Sequence, residues 1–409
     1  MGSTTTAPPP LTAHLTTEAH SGPAHTPPKG IHLGRERVNW NHKVWERIDR
    51  AVQHEFHRTR VAGKFLPHHR VDPHVTTVPA DSVLAYLGGP AMGAVVGPAA
   101  VVALAGNTPL LNIDEGATTR LIETWVEFSM TPQQVEQENQ LHEGHPEHHD
   151  AHEGHPDHPE HGQHEAHPSH HQHHGFSTAV TLAARAAIVL SEFEDTVLFQ
   201  GQIAFTAAPS PLGSPLFQNS WVLNRGVPSD SGLLCVSPGG LPNTQVIQVP
   251  QTGAPGAAVT YLQQTLSVID DAYSILQAMG HYGPYACVLH YYPYADSYAP
   301  LPNTLILPAD RINPLMREGY FGTGTIPGTP APVNPAVPVN TIPNPNYPNT
   351  QSMGLVVSVG GNTMDMVIGQ DPVTAFVQQD PNGNFRFRVF ERFALRLKDT
   401  SAVVRLEFQ

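Results

Sequence analysis

Residues 177–201 read STAVTLAARAAIVLSEFEDTVLFQG. Ala, Leu, Ile and Val dominate the first two thirds, so the run predicts one long helix over 177–199. Gly201 supplies the stop. A helix this long and this apolar has to be buried along most of its length, and the rest of the chain must furnish the cover. Its polar end, Ser191 to Phe199, carries Glu192, Glu194 and Asp195. Glu192 and Asp195 stand one turn apart and read as surface charges near a helix terminus, or as ion pairs to a neighbouring subunit.

Immediately upstream lies the most biased segment of the chain. Residues 142–174 hold 14 of the 26 histidines and repeat a motif: His142-Glu-Gly-His-Pro-Glu-His-His-Asp-Ala151 is followed by His152-Glu-Gly-His-Pro-Asp-His-Pro-Glu-His161. Frequent Pro and Gly make this a low-complexity insertion in a folded domain. Imidazoles interleaved with carboxylates bind zinc, copper, nickel or iron weakly and in many geometries. The candidate ligands are His142, His145, His148, His149, His152, His155, His158, His161, His164 and His167.

Further upstream, Ile122, Thr124, Val126, Phe128 and Met130 alternate with Glu123, Trp125 and Glu127, a period of two that predicts a strand. Trp125 falls on the more polar face, as an interface anchor would. Residues 75–113 are apolar and rich in Gly and Pro, with short strand-like pieces. Asn39 or Asn41 caps a helix whose stripe is Val44, Trp45, Ile48, Val52 and Phe56. Gly63 is expected to end it, leaving Lys64-Phe65-Leu66 extended. Residues 1–35, rich in Thr, Pro, Ala and His, read as an arm.

Downstream, 206–258 reads as loop and short strand, with Gly232-Leu-Leu-Cys235 as a small core piece. A helix is expected at 258–279, a buried strand from Tyr285 to Tyr292, and a helical stretch at 305–318 interrupted by Pro308 and Pro314. A Pro-rich loop spans 323–350. Strands then follow at 354–360, 364–369 and 374–378. Asp380-Pro-Asn-Gly383 turns the chain into the long alternating strand Phe385–Leu397, and Ala402–Phe408 closes it. The class is α+β.

The bulk numbers exclude several functions. Net charge is −14, against a nucleic-acid surface that needs clustered Lys and Arg. Charged residues make up only 14% of the 409. Cys235 and Cys287 are the only cysteines, which speaks for a reducing, cytoplasmic setting. No apolar run approaches the roughly 20 residues of a membrane helix, and residues 1–30 carry no secretory pattern. Gly-rich phosphate loops, Gly-x-Ser-x-Gly and His-Glu-x-x-His are all missing, so no enzyme is expected and no cofactor is required.

Five segments together resemble the encapsulins, bacterial nanocompartment shell proteins of the Hong Kong 97-type phage capsid fold. They are Trp45-Glu-Arg-Ile48-Asp49 through Phe56 to Lys64-Phe65; Pro109-Leu-Leu-Asn-Ile113 with the strand bearing Trp125; Ser191 to Gly201; Gly283-Pro284-Tyr285-Ala-Cys-Val-Leu289; and Val367-Ile-Gly-Gln-Asp371 with the last strands. The chain is longer than a typical member, and the extra length lies between matched segments.

The resemblance implies an organisation: an arm at 1–38; an N-terminal helix and start of the P-domain at 39–108; an extended hairpin, the E-loop, at 109–141; and the His-rich insertion at 142–175. The spine helix and P-domain follow at 176–258, an A-domain at 259–370, and C-terminal P-domain strands at 371–409. It implies an icosahedral homo-oligomer that encloses cargo through a C-terminal targeting peptide. A ferritin-like protein or a dye-decolorising peroxidase is the expected cargo, with a link to iron storage or oxidative-stress defence. Neither nucleic acid nor membrane is an expected partner.

By the same resemblance, Val44, Ile48, Phe56, Phe65, Val367, Gln370 and Asp371 would line the cargo groove. Tyr294, Asp296, Ser297 and Tyr298 would surround a pore. Ile122, Trp125, Val126 and Phe128 would lie on the hairpin that interlocks subunits. Two other readings stay open at this point: a phage-derived major capsid protein and a His-rich metal-storage protein.

Overall fold

The computed structural model describes residues 33–84, 112–114, 116, 118–143, 177–201, 203–206, 217, 220–223, 232–234, 245–249, 261–301, 304–327 and 352–408. The description below concerns the unit Leu33–Gln409.

In chain order the elements are α1 His42–Thr59, α2 Ala62–Phe65, β1 His68–Arg70, β2 Thr77–Pro79, β3 Ser82–Leu84, β4 Asn112–Asp114, β5 Thr118–Arg120 and β6 Ile122–Met130. Then come α3 Pro132–Glu143, the spine helix α4 Thr178–Gln200, α5 Ile203–Thr206, β7 Ser220–Leu223, β8 Gln245–Val249, α6 Leu262–Ala278, β9 Tyr285–His290, α7 Tyr291–Asp296 and α8 Pro308–Ile312. The chain closes with β10 Gly319–Thr323, β11 Ser352–Ser358, β12 Met364–Gln379, β13 Phe385–Leu397 and β14 Val403–Phe408.

Two five-stranded sheets carry the fold, in the orders β1-β12-β13-β6-β7 and β10-β9-β11-β14-β8. The first is covered by α1 and α4. Asn41 caps α1 by accepting from Val44 N at 3.1 Å, and the stripe Val44, Trp45, Ile48, Val52, Phe56 is wholly buried against Ala183, Leu190, Val126 and Phe387. Burial of such a stripe, and not propensity, is what makes α1 stable. The α4 helix begins at Ser177, whose side chain accepts from Val180 N. Its C-terminal half packs Phe193, Val197, Leu198 and Phe199 into a second core between the two sheets, with Ile368, Phe393, Val288 and Leu355.

Several expectations are corrected. Gly63 does not end the first helix; α1 stops at Thr59 and Gly63 lies inside the helical turn α2. The reason is tertiary: the Asp195 carboxylate of α4 accepts from the backbone of Val61 and Ala62 at 2.7 and 2.8 Å, fixing the start of that turn. Residues 132–143 are helical, where the hairpin was expected to run on to 141. Thr131 and Gln134 cap this helix reciprocally, at 2.9 and 3.3 Å. Its buried Glu138 then accepts from Ser177 Oγ at 2.8 Å and Ala179 N at 2.9 Å. A carboxylate at the N-terminus of α4 is favourably placed in the helix dipole. It also stitches together the two chain segments that flank the His-rich insertion.

Tyr291 and Tyr292 leave the strand and begin α7, and Pro308 opens α8 at its first turn instead of interrupting it. The two strands expected at 364–369 and 374–378 are one 16-residue strand, β12, with register shifts at Ile368/Gln370 and Gln370/Val373 that absorb Pro372. The boundaries drawn at 370/371 and for 371–409 therefore divide β12, and β14 belongs to the second sheet, between β11 and β8. The Asp380–Gly383 turn is as expected: Asp380 accepts from Asn382 N and Asn384 N, and Gly383 takes φ +85°. No helix among the described residues is long and apolar enough to cross a membrane.

Candidate assembly and docking surfaces

The residues expected to line a cargo groove are core. Val44, Ile48 and Phe56 are buried beneath α4, Phe65 lies in the inter-sheet core, and Val367 packs on Val78, Leu121 and Ala394. Gln370 is buried too, and its amide donates to Asp371 O at 2.9 Å. Only Asp371 reaches the rim, where it pairs with Arg70. The three-and-four spacing that marked α1 as amphipathic is the spacing that turns those side chains onto the chain's own spine. What the same corner leaves open among the described residues is β1: His68, His69 and Arg70 are exposed and stand at the edge of the first sheet.

The residues expected around a pore are also partly internal. Asp296 accepts from Tyr261 N at 2.5 Å, which holds the start of α6. Ser297 is fully buried, donating to Tyr294 O at 2.6 Å and accepting from the Tyr320 hydroxyl at 2.8 Å. Neither side chain is free to line an opening in the isolated subunit. Tyr294 and Tyr298 pack edge to face at 5.2 Å, and Tyr298 is 43% exposed. Beyond them the chain presents Leu305 at 96% and Ile306 at 50% exposure, a pair that no periodicity in the sequence marks. Single exposed apolar residues are ordinary, whereas two adjacent ones make a small apolar patch on this loop.

The interlocking residues are relocated. Strand β6 pairs along its whole length with β13, and through Glu123–Val126 with β7, so Ile122, Trp125, Val126 and Phe128 sit within the first sheet. Ile122 and Val126 are core, and Phe128 stacks on Phe387 at 5.3 Å. Trp125 is half-buried, with Arg388 over its ring at 5.6 Å. The two-stranded arm comes earlier in the chain, from β2 paired with β5 and β3 paired with β4; residues 85–111 lie outside the described residues. At its root is a cleft of about 480 Å³ lined by His74, Thr76, Thr77, Arg120, Leu121, Glu123 and Arg392.

Reading Asp195 as a surface charge is overturned as well. Glu194 and Asp195 are buried, and Glu391 of β13 lies beside Glu194. Burial pushes all three carboxyls up, Glu194 to about 7. Glu192 is raised by partial burial alone. Sequence reasoning missed Glu194 and Glu391 because they are brought together from positions almost 200 residues apart.

Of the ten histidines named as metal ligands, only His142 falls within the described backbone, in the last turn of α3; the other nine lie outside the described residues. Among the described residues, no group of three or more His, Cys, Asp or Glu is arranged to hold a metal ion. Cys287 is buried and unbridged.

No protein-family model matches the chain. A curated relative does: the type 1 encapsulin shell protein EncA of Myxococcus xanthus is 28% identical over 132 residues. Over that stretch the chain resembles an encapsulin shell protein. The matched stretch is 32% of this chain, and it spans 38% of the relative's length. Among solved structures, a virus-like particle from Pyrococcus furiosus aligns over 89% of this chain and 99% of its own at 11% identity and TM-score 0.47. The capsid of Myoviridae phage XM1 aligns over 85% and 91% at 11% identity and TM-score 0.44. The spine helix lies where the encapsulin resemblance implied it, whereas the strand bearing Trp125, implied as part of a projecting hairpin, is a central strand of the first sheet.

Proposed function

We propose that this chain is the shell subunit of a closed, hollow homo-oligomeric compartment that encloses protein cargo in the cytoplasm and performs no catalysis itself. The observation that carries the reading is the similarity to a protein described as an encapsulin shell protein, in a chain whose motifs for spine, hairpin and sheet occur in the same order. Two features support assembly. The arm formed by β2–β5 and β3–β4 is a two-stranded ribbon, which cannot be stable alone and gains by lying on a neighbour. The exposed Leu305 and Ile306 supply apolar surface for heterologous contacts that close by symmetry.

Cargo capture belongs to the same proposal, at a different place from the buried residues first considered. The open edge of β1, flanked by Asp371 and Arg70, accepts an extended peptide by strand addition. A ferritin-like protein or a dye-decolorising peroxidase with a C-terminal targeting segment is the proposed occupant of the compartment. The His-rich insertion would then hold divalent metal ions loosely, as part of an iron or oxidative-stress role.

Negative-stain electron microscopy of the purified protein, with mass spectrometry of what co-purifies from the native host, tests this. Uniform hollow particles holding an enzyme are expected. Monomers or small oligomers at micromolar concentration, over a range of pH and salt, would overturn the shell reading.

A further inference from the structure

The contact between the spine helix and the first sheet contains more acid than it can ionise. Glu194 on α4 is 0% exposed, and neither of its carboxyl oxygens meets a hydrogen-bond donor among the described residues. Glu391 on β13 is 2% exposed and stands within hydrogen-bond reach of Glu194. From β6 the facing group is neutral: Thr124 donates to Glu391 Oε1 at 3.3 Å. Asp195, the next residue along the helix, spends both oxygens on the amides of Val61 and Ala62, which can only donate. Burial and Glu194 raise Asp195 as well, but with two amide donors it is the acid of the three best placed to carry a negative charge. Arg60, 6% exposed and lying over the Phe56 ring at 5.4 Å, is the cation that faces the group, and Asp371 of β12 adds a further negative charge.

Two adjacent carboxylates that have only the Thr124 hydroxyl as a donor cannot both stay charged in a site closed to water, whereas one proton between them makes one a donor and the other an acceptor. We propose that Glu194 and Glu391 hold one proton between them across the contact of α4 with β13, and that losing it in mild alkali unlocks the spine from the sheet. The pair is a pH-dependent latch of the subunit, and it stands whether or not the chain forms a shell.

The sign follows from linkage. Both carboxyls are raised in the folded chain above the value of about 4.3 that they have in the unfolded chain, so the pair keeps a proton where the unfolded chain has lost both. In that window the native state binds more protons, so stability is fully present at acid pH and is lost as pH rises. The interval from pH 7 to 8 isolates the effect. Below it the buried His290, held at about 4, titrates in the unfolded chain alone; above about 8.5 an unfolded Cys287 does the same.

Urea unfolding of the full-length protein at pH 7, 7.5 and 8 is the test, set beside the double variant Glu194→Gln/Glu391→Gln, whose two amides pair without a titratable proton. The wild-type unfolding constant is expected to rise up to about tenfold over that unit of pH, and the variant's to stay level. Equal slopes in the two proteins would overturn the proposal. If the variant does not fold, the infrared spectrum of the wild-type protein at pH 8 decides. The spectrum is recorded also at pH 6, where the pair holds its proton: a protonated carboxylic-acid carbonyl band that persists in heavy water and vanishes on unfolding supports the latch, and no such band at pH 6 refutes it.

Discussion

Asp195 shows how much one side chain does in this chain. Its two oxygens receive the amides of Val61 and Ala62, tying the end of the first helix region to the spine. Asp195→Ala leaves both amides buried without acceptors, and a loss of about 1–3 kcal/mol per orphaned group is expected in urea denaturation. His290 makes a second case. It is buried at the end of β9, 3.4 Å from Ser352 Oγ, and burial holds its imidazole at about 4. Its folded value lies below the unfolded one, so the unfolded chain takes the proton first. The contribution of His290 to stability is expected to fall as pH drops from about 6.5 towards 4, so the wild-type melting temperature should drop relative to that of His290→Asn over that interval.

At the scale of elements, α1 is held to α4 and the sheet by its apolar stripe. Phe56 is wholly buried in it, so Phe56→Ala is expected to cost about 3–5 kcal/mol, read as a lower urea midpoint without a change of slope. The Asn41 cap contributes less: Asn41→Ala is expected to cost about 1 kcal/mol. A different kind of element contact joins β12 to β13. Asp365 lies between Arg396, at 2.6 Å, and Lys398, at 2.8 Å, all three buried. Asp365→Ala leaves buried Lys398 with only the Asn362 side-chain oxygen and Arg396 with only the half-exposed Asp81 as counter-charge, at 3.2 Å, and a loss of about 3 kcal/mol is expected.

For the whole molecule, assembly is the property to break. Leu305→Asp together with Ile306→Asp alters side chains that make little contact within the subunit. The expected result is loss of large particles in mass photometry with an unchanged subunit far-ultraviolet circular dichroism spectrum. Particles that persist would remove this loop from the assembly surface. The arm built on β2–β5 and the loop at Leu305 lie on different elements, as contacts that close a ring of copies head to tail require.

Periodicity and punctuation made much of this protein legible in one dimension. The spine from Ser177 to Gly201, the α1 stripe, the alternation in β6 and the Asp380–Gly383 hairpin all depend on interactions within about four residues or on a single turn. The ordered motifs carried the encapsulin resemblance for the same reason. Burial on the far side of an element is another matter, because it depends on what the rest of the chain brings there. Nothing local shows that β6 is a central strand and not a projecting hairpin, since that is decided by β13 and β7 pairing on its two edges. Nor does spacing reveal that Val44, Ile48 and Phe56 meet the spine and leave no groove, or that Glu194 finds Glu391 across almost 200 residues. Those contacts exist only after the sheet closes, when two acids that would each be solvated in an isolated segment are sealed together away from water.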